Sequence, residues 1–206
     1  GSLRTRPPPD EVAIDNGAAP GAPPPAWVVF AGADGGYFAR FGREMALSVR
    51  ACCGTGGAVH LHVVNPAPGQ EDALTRLRAE LAPLRLDWSV ARVDLDAFGA
   101  DRRTYYACAR FLVLPQLLRR HDCPVMLLDI DSRVLRDLAP LAAQLVTEDA
   151  DVGMIEGEPG EIWGSCWADQ MAIRPTPRGR EFAALVAAYI GHFFAAGRRR
   201  NGRYRQ

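Results

Sequence analysis

The sequence contains no lysine, so arginine supplies all 24 of its basic side chains. This absence excludes a P-loop nucleotide site, whose lysine contacts the phosphates. Acidic and basic residues balance to a formal net charge of zero, and the pI is near 7.1. The balance argues against a protein that binds nucleic acids or membrane surfaces, because such proteins are usually basic.

Zinc-type cysteine patterns and long apolar runs are also missing. The five cysteines include no C-x-x-C pair and no His/Cys cluster at the spacing of zinc ligands, so the sequence predicts no zinc site. There is no run of 18 apolar residues and no signal-like apolar N-terminus, so we expect no integral membrane segment. Together these features favour a cytoplasmic location, in which thiols stay reduced.

The chain is predicted to be one α/β domain with short flanking segments. Its 206 residues are enough to bury a sizeable core. Residues 1–25 are rich in Pro, Gly and Ala, which predicts a disordered lead-in, and Gly1-Ser2 resembles the scar of tag removal. Residues 26–197 form the predicted domain, and residues 198–206 form a basic tail that is expected to fray.

Apolar patterns along the chain predict the secondary structure of this domain. Strands are predicted over 26–31, 58–65, 85–95, 125–128, 151–156 and 170–175, and helices over 38–52, 70–81, 102–118 and 135–145. Pro115 is expected to kink or break its helix. Thr176 is expected to cap a final helix, along which an apolar stripe comprises Phe182, Leu185, Val186, Tyr189 and Phe193. This alternation predicts a Rossmann-like, mostly parallel central sheet with helices on both faces.

A short apolar run, Val125–Leu128, ends in two carboxylates one residue apart, Asp129 and Asp131. In an extended strand these side chains point to the same side, about 6–7 Å apart, and they repel unless a proton or cation lies between them. Oxygen ligands of this kind suit Mg²⁺ or Mn²⁺, which often also bind phosphates. The alternative is that Asp131 and Ser132 cap the following helix while Asp129 pairs with an arginine.

Two further segments offer groups for a phosphate-bearing ligand. The loop predicted over 32–36, with Tyr37 after it, contains glycines that allow close backbone approach, a hydrogen-bond acceptor in Asp34 and a flat ring in Tyr37. Asp34 could instead cap the next helix, and the loop lacks the G-x-G-x-x-G fingerprint. Arg110, in the helix before the two carboxylates, could complement a metal-bound diphosphate.

These motifs together carry a family resemblance. RRTYYACARFLVLPQLL (102–118) and VMLLDIDSRVLRDLAPL (125–141) resemble the centre of the GT-A glycosyltransferases, especially the family 8-like group of glycogenin and bacterial lipopolysaccharide galactosyltransferases. That group has a Tyr-x-x-x-Arg helix, an apolar strand, a D-x-D motif and an apolar helix in this order. VVFAGADGGYFARFGREMALSVRA (28–51) and VHLHVVN (59–65) resemble its opening strands and helix.

The resemblance implies a metal-dependent, hexosyltransferase-like enzyme. Its donor would be a nucleotide-sugar, UDP-linked in most of the family, and its acceptor an unknown saccharide, lipid or protein. The implied metal is Mn²⁺ or Mg²⁺ on Asp129 and Asp131, where it takes up the charge of the leaving diphosphate. The resemblance also assigns donor contacts to Ala31, Asp34, Tyr37, Tyr106, Arg110, Asp129 and Ile130.

The C-terminal part of the chain departs from the family pattern. The family has a third metal ligand, a histidine, beside a lysine, whereas this chain has no lysine and places His192 in a predicted helix. Asp169-Gln170 resembles the family's catalytic Asp-Gln pair, although it lies early in the chain and a structural role is the alternative. We therefore expect the catalytic-fold portion of a longer enzyme.

Other interpretations remain open at this stage. A haloacid-dehalogenase-like phosphohydrolase would use Asp129 as nucleophile and Asp131 as acid/base, but its motif normally lies near the N-terminus and needs a later lysine. A non-catalytic domain could keep the fold as a binding module. Trp163 and Trp167 could stack on a sugar or pack locally. Packing or solvent roles are expected for His60 and His62, which share one strand face.

Overall fold

A computed structural model describes residues 12–15, 23–94, 102–156 and 166–197. The strands are β1 (Ile14–Asp15), β2 (Val28–Asp34), β3 (Ala58–Val64), β4 (Arg85–Ala91), β5 (Val125–Leu128), β6 (Val152–Glu156) and β7 (Cys166–Ile173). The helices are α1 (Gly35–Tyr37), α2 (Arg43–Cys53), α3 (Gln70–Leu81), α4 (Arg102–His121), α5 (Ala139–Thr147) and α6 (Pro177–Gly197), and a π-helical turn, Phe38–Gly42, joins α1 to α2.

The strands form one sheet in the order β1-β4-β3-β2-β5-β7-β6. The central pairs β4–β3, β3–β2 and β2–β5 are parallel, whereas β1, β7 and β6 join antiparallel. The mixed sheet with a parallel centre confirms the predicted fold class. Because β2, β3, β4 and β5 run in the same direction, their carboxyl ends meet at one edge, the usual ligand edge of α/β sheets.

Helices cover both faces of the sheet, which explains why its central strands are apolar runs. Val29 and Ala31 of β2 pack with α2 and α3 in one core cluster. Val28 and Phe30, on the opposite face of the same strand, pack with α4 and α6 in a second cluster. All seven residues of β3 are buried. The domain is therefore a three-layer sandwich, as the alternation of elements predicts.

The first strand and helix differ from their predicted bounds. β2 continues to Asp34 and α1 begins at Gly35, so the loop predicted over 32–36 is wrong. The π-helical turn places the buried Phe38 ring over Gly42, where an added Cβ would lie 2.6 Å from the ring. Glycine at position 42 therefore gives this ring room within the helix.

Proline has different effects in the next two helices. α4 passes through Pro115 and ends at His121, so Pro115 does not break it. The neighbouring Leu114, Leu117 and Leu118 are fully buried, and this burial offsets the roughly 3 kcal/mol that proline costs inside a helix. α5 begins at Ala139 rather than 135, with proline in its first turn, a position that favours helix starts.

The last helix is capped as predicted, but its buried face coincides only in part with the predicted apolar stripe. Thr176 Oγ1 accepts a hydrogen bond from Gly179 N at 3.1 Å, which confirms the cap. Leu185 and Tyr189 are 68% and 71% exposed, so they do not belong to the buried face. The other three residues of the stripe are partly buried and pack against the core, namely Phe182, Val186 and Phe193. The most buried positions of the helix are Ala183, Ala187, Ile190 and Phe194.

The segments outside the predicted domain are covered only in part. Within the predicted lead-in, residues 14–15 form β1, which pairs with β4. Val12 N donates a hydrogen bond to Gln116 Oε1 of α4 at 3.2 Å, and Gln116 Nε2 donates one to Val12 O at 2.6 Å. These residues therefore contribute to the sheet rather than to a free lead-in. The predicted basic tail, 198–206, lies outside the described residues. Among the helices that are described, none has the length and apolarity needed to cross a membrane.

Candidate functional site

Asp129 and Asp131 lie at the ligand edge, directly after the central strand β5. The Asp129 side chain is 42% exposed, and its Oδ1 accepts a hydrogen bond from Arg110 Nη1. Asp131 is exposed and makes no hydrogen bond or ion pair with any described residue. It does not cap α5, because that helix begins eight positions later in the chain. Of the sequence-based alternatives, the arginine pairing of Asp129 is observed and the capping role of Asp131 is wrong.

Ile130 separates the two carboxylates and anchors them. Its side chain is only 4% exposed and belongs to the core cluster beneath α2. A buried apolar residue between two exposed acids fixes which way the short turn faces. Asp129 O also accepts a hydrogen bond from Ser132 N at 3.0 Å, which closes the turn.

Arg110 reaches Asp129 because α4 packs unusually close to β2. A Cβ added to Gly32 would lie 2.8 Å from Arg110 Cβ, shorter than real contacts of this kind. Glycine at this position therefore sets the approach of α4, and the Arg110 side chain is 8% exposed beside the carboxylate. Tyr106, one turn earlier on α4, is half-buried, and Ala31 is buried in β2 next to Gly32.

Replacing Gly32 by alanine is expected to push α4 away from β2 and to destabilise the domain by about 1–3 kcal/mol, the usual cost of overpacking. Urea unfolding measures the change. Gly56→Ala is the matched control, since nothing lies within 4 Å of its added Cβ, and it should alter stability by less than about 0.5 kcal/mol. Equal stability of the two variants would contradict the close-packing role of Gly32.

Asp34 and Tyr37 lie at the same edge, at the end of β2. Asp34 Oδ1 accepts hydrogen bonds from Gly36 N at 2.6 Å and Tyr37 N at 3.0 Å, so Asp34 caps the helix. Tyr37 is 52% exposed, and its ring packs against Phe41 with centroids 5.4 Å apart. The capping alternative for Asp34 is therefore observed, and Tyr37 keeps an open surface.

The antiparallel strand β7 brings Gln170 to this edge. Gln170 pairs with Leu128, the residue directly before Asp129, and its side chain is exposed. Asp169-Gln170 lies earlier in the chain than the family pair that it resembles, and the antiparallel direction of β7 places Gln170 at the end of β5. The side chains of Asp169 and Trp167, and all of Trp163, lie outside the described structure.

Sequence reasoning missed a group that holds the segment after Asp131. Ser48 Oγ accepts a hydrogen bond from Val134 N at 2.9 Å and donates to Met45 O at 2.7 Å. Cys52 Sγ and Cys53 Sγ contact the carbonyl oxygens of Val134 and Arg136 at 3.4 and 3.8 Å. These contacts attach the segment to α2. No local sequence signal predicts them, because they join residues more than 80 positions apart.

A second polar group, the buried histidine cluster, consists of His60, Asp87 and His121. One donor atom from each lies within 4.8 Å of the other two, and all three side chains are buried. His60 lies opposite Asp87 in the β3–β4 register, and His121 ends α4. Along α4, His121 is about 16 Å from Arg110, so the cluster lies toward the amino ends of the strands, away from Asp129.

Burial keeps the histidines around this cluster neutral. Burial lowers the pKa of His62 to about 4 and that of His60 well below its usual 6.5. Burial also lowers the pKa of His121 to about 4, although the Asp87 charge opposes this effect. Ser89 Oγ lies 2.9 Å from both His60 Nε2 and His62 Nδ1. His60 and His62 therefore lie in the protein interior and do not face solvent.

Comparison with known proteins bears on the fold. No protein-family model matches the chain, and no curated protein matches its sequence. The glycosyltransferase GlyE of Streptococcus pneumoniae TIGR4 superposes with a TM-score of 0.56 at 16% identity, over 88% of this chain and 41% of GlyE. The galactosyltransferase LgtC, solved with donor and acceptor sugar analogues, superposes with a TM-score of 0.55 at 20% identity, over 82% of this chain and 65% of LgtC. An active-site mutant of LgtC superposes with a TM-score of 0.56 at 20% identity, over 86% of this chain and 66% of the mutant.

The chain has the fold of the GT-A glycosyltransferases. This confirms the fold that the sequence resemblance implies. In the GT-A fold of this chain, the carboxyl edge of the sheet carries Asp34, Arg110, Asp129, Asp131 and Gln170. The chain spans about two fifths of the length of GlyE and 65% of LgtC. At these identities the superpositions establish architecture, and the chemistry has to be argued from the residues.

Proposed function

We propose that this chain binds a nucleotide-sugar, with UDP as the nucleotide, and transfers its sugar to an acceptor. One observation carries the proposal. Two accessible carboxylates one residue apart, Asp129 and Asp131, end the central strand of a GT-A fold. In open α/β sheets ligands bind at this edge. A pair of carboxylates placed there favours a ligand that brings a cation with it.

The donor set at this edge fits Mn²⁺ or Mg²⁺. Both ions prefer carboxylate oxygens and keep positions for phosphate oxygens. Asp131 is exposed and unpaired among the described residues, and Asp129 uses only Oδ1 in the described Arg110 pair. Bound there, the metal would supply positive charge for the nucleoside diphosphate that leaves.

The remaining side chains would bind and orient the donor. Arg110 is a permanently charged, largely buried guanidinium beside Asp129, and its planar fork suits phosphate oxygens. The exposed ring of Tyr37 offers a stacking surface for the nucleobase, and the Asp34 cap holds the Tyr37 backbone in place. Tyr106 lies one turn from Arg110 on the same helix, within the same donor site.

Gln170 is the candidate on the acceptor side. A glutamine-to-glutamate change in LgtC is described as an active-site mutant, and LgtC binds donor and acceptor sugar analogues. Here Gln170 is exposed and pairs with the residue before Asp129. A neutral amide at this position can donate and accept hydrogen bonds to a sugar without adding charge. We assign Asp169-Gln170 to the place where the sugar of the donor would meet the acceptor.

Calorimetric titration with UDP, with and without Mn²⁺, tests the proposal. We expect binding in the presence of Mn²⁺ and affinity at least about tenfold weaker without it, because the diphosphate then faces the Asp131 carboxylate, unpaired among the described residues, beside the Arg110–Asp129 pair. GDP, which differs from UDP in its nucleobase, is the comparison ligand that measures the preference for one nucleobase over another. Absent UDP binding, or affinity that is independent of the metal, would contradict the proposal.

The two alternatives predict different results in simple assays. The superposed structures are glycosyltransferases, so the fold gives no support to the phosphohydrolase. Turnover of an aryl phosphate that is lost in Asp129→Asn would favour it. A binding module would bind UDP and Mn²⁺ without hydrolysing or transferring the sugar of any UDP-sugar.

A further inference from the structure

We propose that the buried histidine cluster is a second metal site, which binds Zn²⁺ or a similar transition-metal ion through His60, Asp87 and His121. The site is separate from Asp129 and Asp131 and does not depend on the proposed transferase function. It is built where three elements meet: β3 supplies His60, β4 supplies Asp87, and the last residue of α4 supplies His121. An ion there would cross-link this helix to two neighbouring strands.

The geometry of the cluster is close to that of a bound ion. One donor atom from each residue lies within 4.8 Å of the others. Ligands at 2.0–2.1 Å around a tetrahedral zinc lie about 3.4 Å apart, so the widest pair must close by at most about 1.4 Å. Side-chain torsions can supply a movement of this size without a backbone shift.

Two ring nitrogens in the cluster have no hydrogen-bond partner among the described residues, although both side chains are at least nine-tenths buried. They are His60 Nδ1 and His121 Nε2. His121 Nε2 faces Asp87 Oδ2 at 3.7 Å, too long for a hydrogen bond. A buried polar atom without a partner is costly and calls for an unseen ligand. Neutral imidazole with carboxylate is a common donor set for zinc.

Hydrogen bonds with Ser89 and Arg85 already orient two of the proposed ligands. Ser89 Oγ holds His60 Nε2 at 2.9 Å. Arg85 contacts both carboxylate oxygens of Asp87: its Nε lies 3.0 Å from Oδ1, and its Nη2 lies 2.7 Å from Oδ2. Hydrogen bonds to the far side of metal ligands fix their orientation in known sites.

Metal analysis after refolding tests whether the buried histidine cluster binds zinc. The full chain is to be unfolded, refolded with Zn²⁺ or with EDTA, desalted and analysed for metal. We expect about one Zn²⁺ per chain after refolding with zinc. The midpoint of thermal unfolding should rise by about 5 to 10 °C when free zinc is 100-fold above its Kd. Co²⁺ in place of Zn²⁺ should give the visible absorption of a nitrogen-ligated, low-symmetry site.

Matched variants separate this site from its surroundings. His60→Gln and His121→Gln should lose the bound zinc, whereas His62→Gln should keep it, because His62 is buried beside the same Ser89 but lies outside the cluster. Asp131→Asn should also keep the zinc, which distinguishes this proposal from the transferase proposal. No retained zinc in the wild-type chain, or full retention in both cluster variants, would overturn the inference. If a variant fails to refold, a wild-type Co²⁺ spectrum without nitrogen ligation would overturn it as well.

Discussion

Replacing Asp131 by asparagine is expected to weaken Mn²⁺-dependent UDP binding by about 100-fold or more. Loss of a group that only supports a metal ligand already costs 10–100-fold in affinity or activity, so loss of a ligand itself reaches at least the upper end. The fold should survive, because Asp131 is exposed and makes no contact of its own with described residues. Its stability should stay within about 0.5 kcal/mol of wild type. Calorimetry with UDP and Mn²⁺, together with urea unfolding, measures both quantities.

Glu181→Gln is the control for this experiment. It also removes one exposed carboxylate, but from the first turns of α6. That helix follows Ile173, which pairs with Val125 at the amino end of β5, so Glu181 lies away from the ligand edge. The control should bind UDP and Mn²⁺ like the wild type. If Asp131→Asn and Glu181→Gln bind equally well, the metal is not held by Asp131.

Replacing Arg85 by glutamine is expected to destabilise the domain strongly when unfolding is measured in EDTA. Arg85 grips both oxygens of Asp87, whose side chain is fully buried. Removing one partner of a buried ion pair leaves a charge without compensation, at a cost of about 3–5 kcal/mol. For a domain of this size the unfolding midpoint should fall by about 6 to 20 °C. Differential scanning calorimetry measures the shift.

Arg43→Gln provides the comparison for Arg85→Gln. Arg43 pairs with Glu80 and Glu44 on the surface, where its side chain is 58% exposed. Exposed ion pairs contribute little because water screens them, so this variant should unfold close to the wild-type temperature. A similar loss in both variants would show that burial does not set the strength of the Arg85–Asp87 pair.

Sequence reading succeeded where the signal is local. The run Val125–Leu128 and the two acids after it are adjacent in the chain, so their position at a strand end follows from periodicity. The strand β3 and the helix α3 carry equally local patterns, and both are observed within one residue of their predicted bounds. The order of the quoted motifs carries the family resemblance that implies the GT-A fold, and the structural comparisons confirm that fold.

The failures involve packing between distant segments. The buried face of α6 includes Ala183 and Ala187. These small residues allow close contact with α4, and a stripe defined by large apolar residues does not include them. The placement of Gln170 opposite Leu128 depends on the antiparallel direction of β7, which the residues around Gln170 do not encode. The buried histidine cluster joins residues from three elements, so a search for zinc-ligand spacing along the chain could not find it. The roles assigned to Asp34, Arg110 and Asp131 remain predictions.

The helical run from Gly35 to Cys53 joins two parts of the ligand edge that the chain keeps far apart. Its first turn is capped by Asp34, which accepts hydrogen bonds from Gly36 N and Tyr37 N next to the proposed nucleobase surface on Tyr37. Its last turns hold the backbone just past Asp131. Under the proposed function, a change of nucleobase next to Tyr37 should be transmitted along this helical run to the segment after Asp131. We therefore expect the affinity for the cation to depend on which nucleobase the ligand carries.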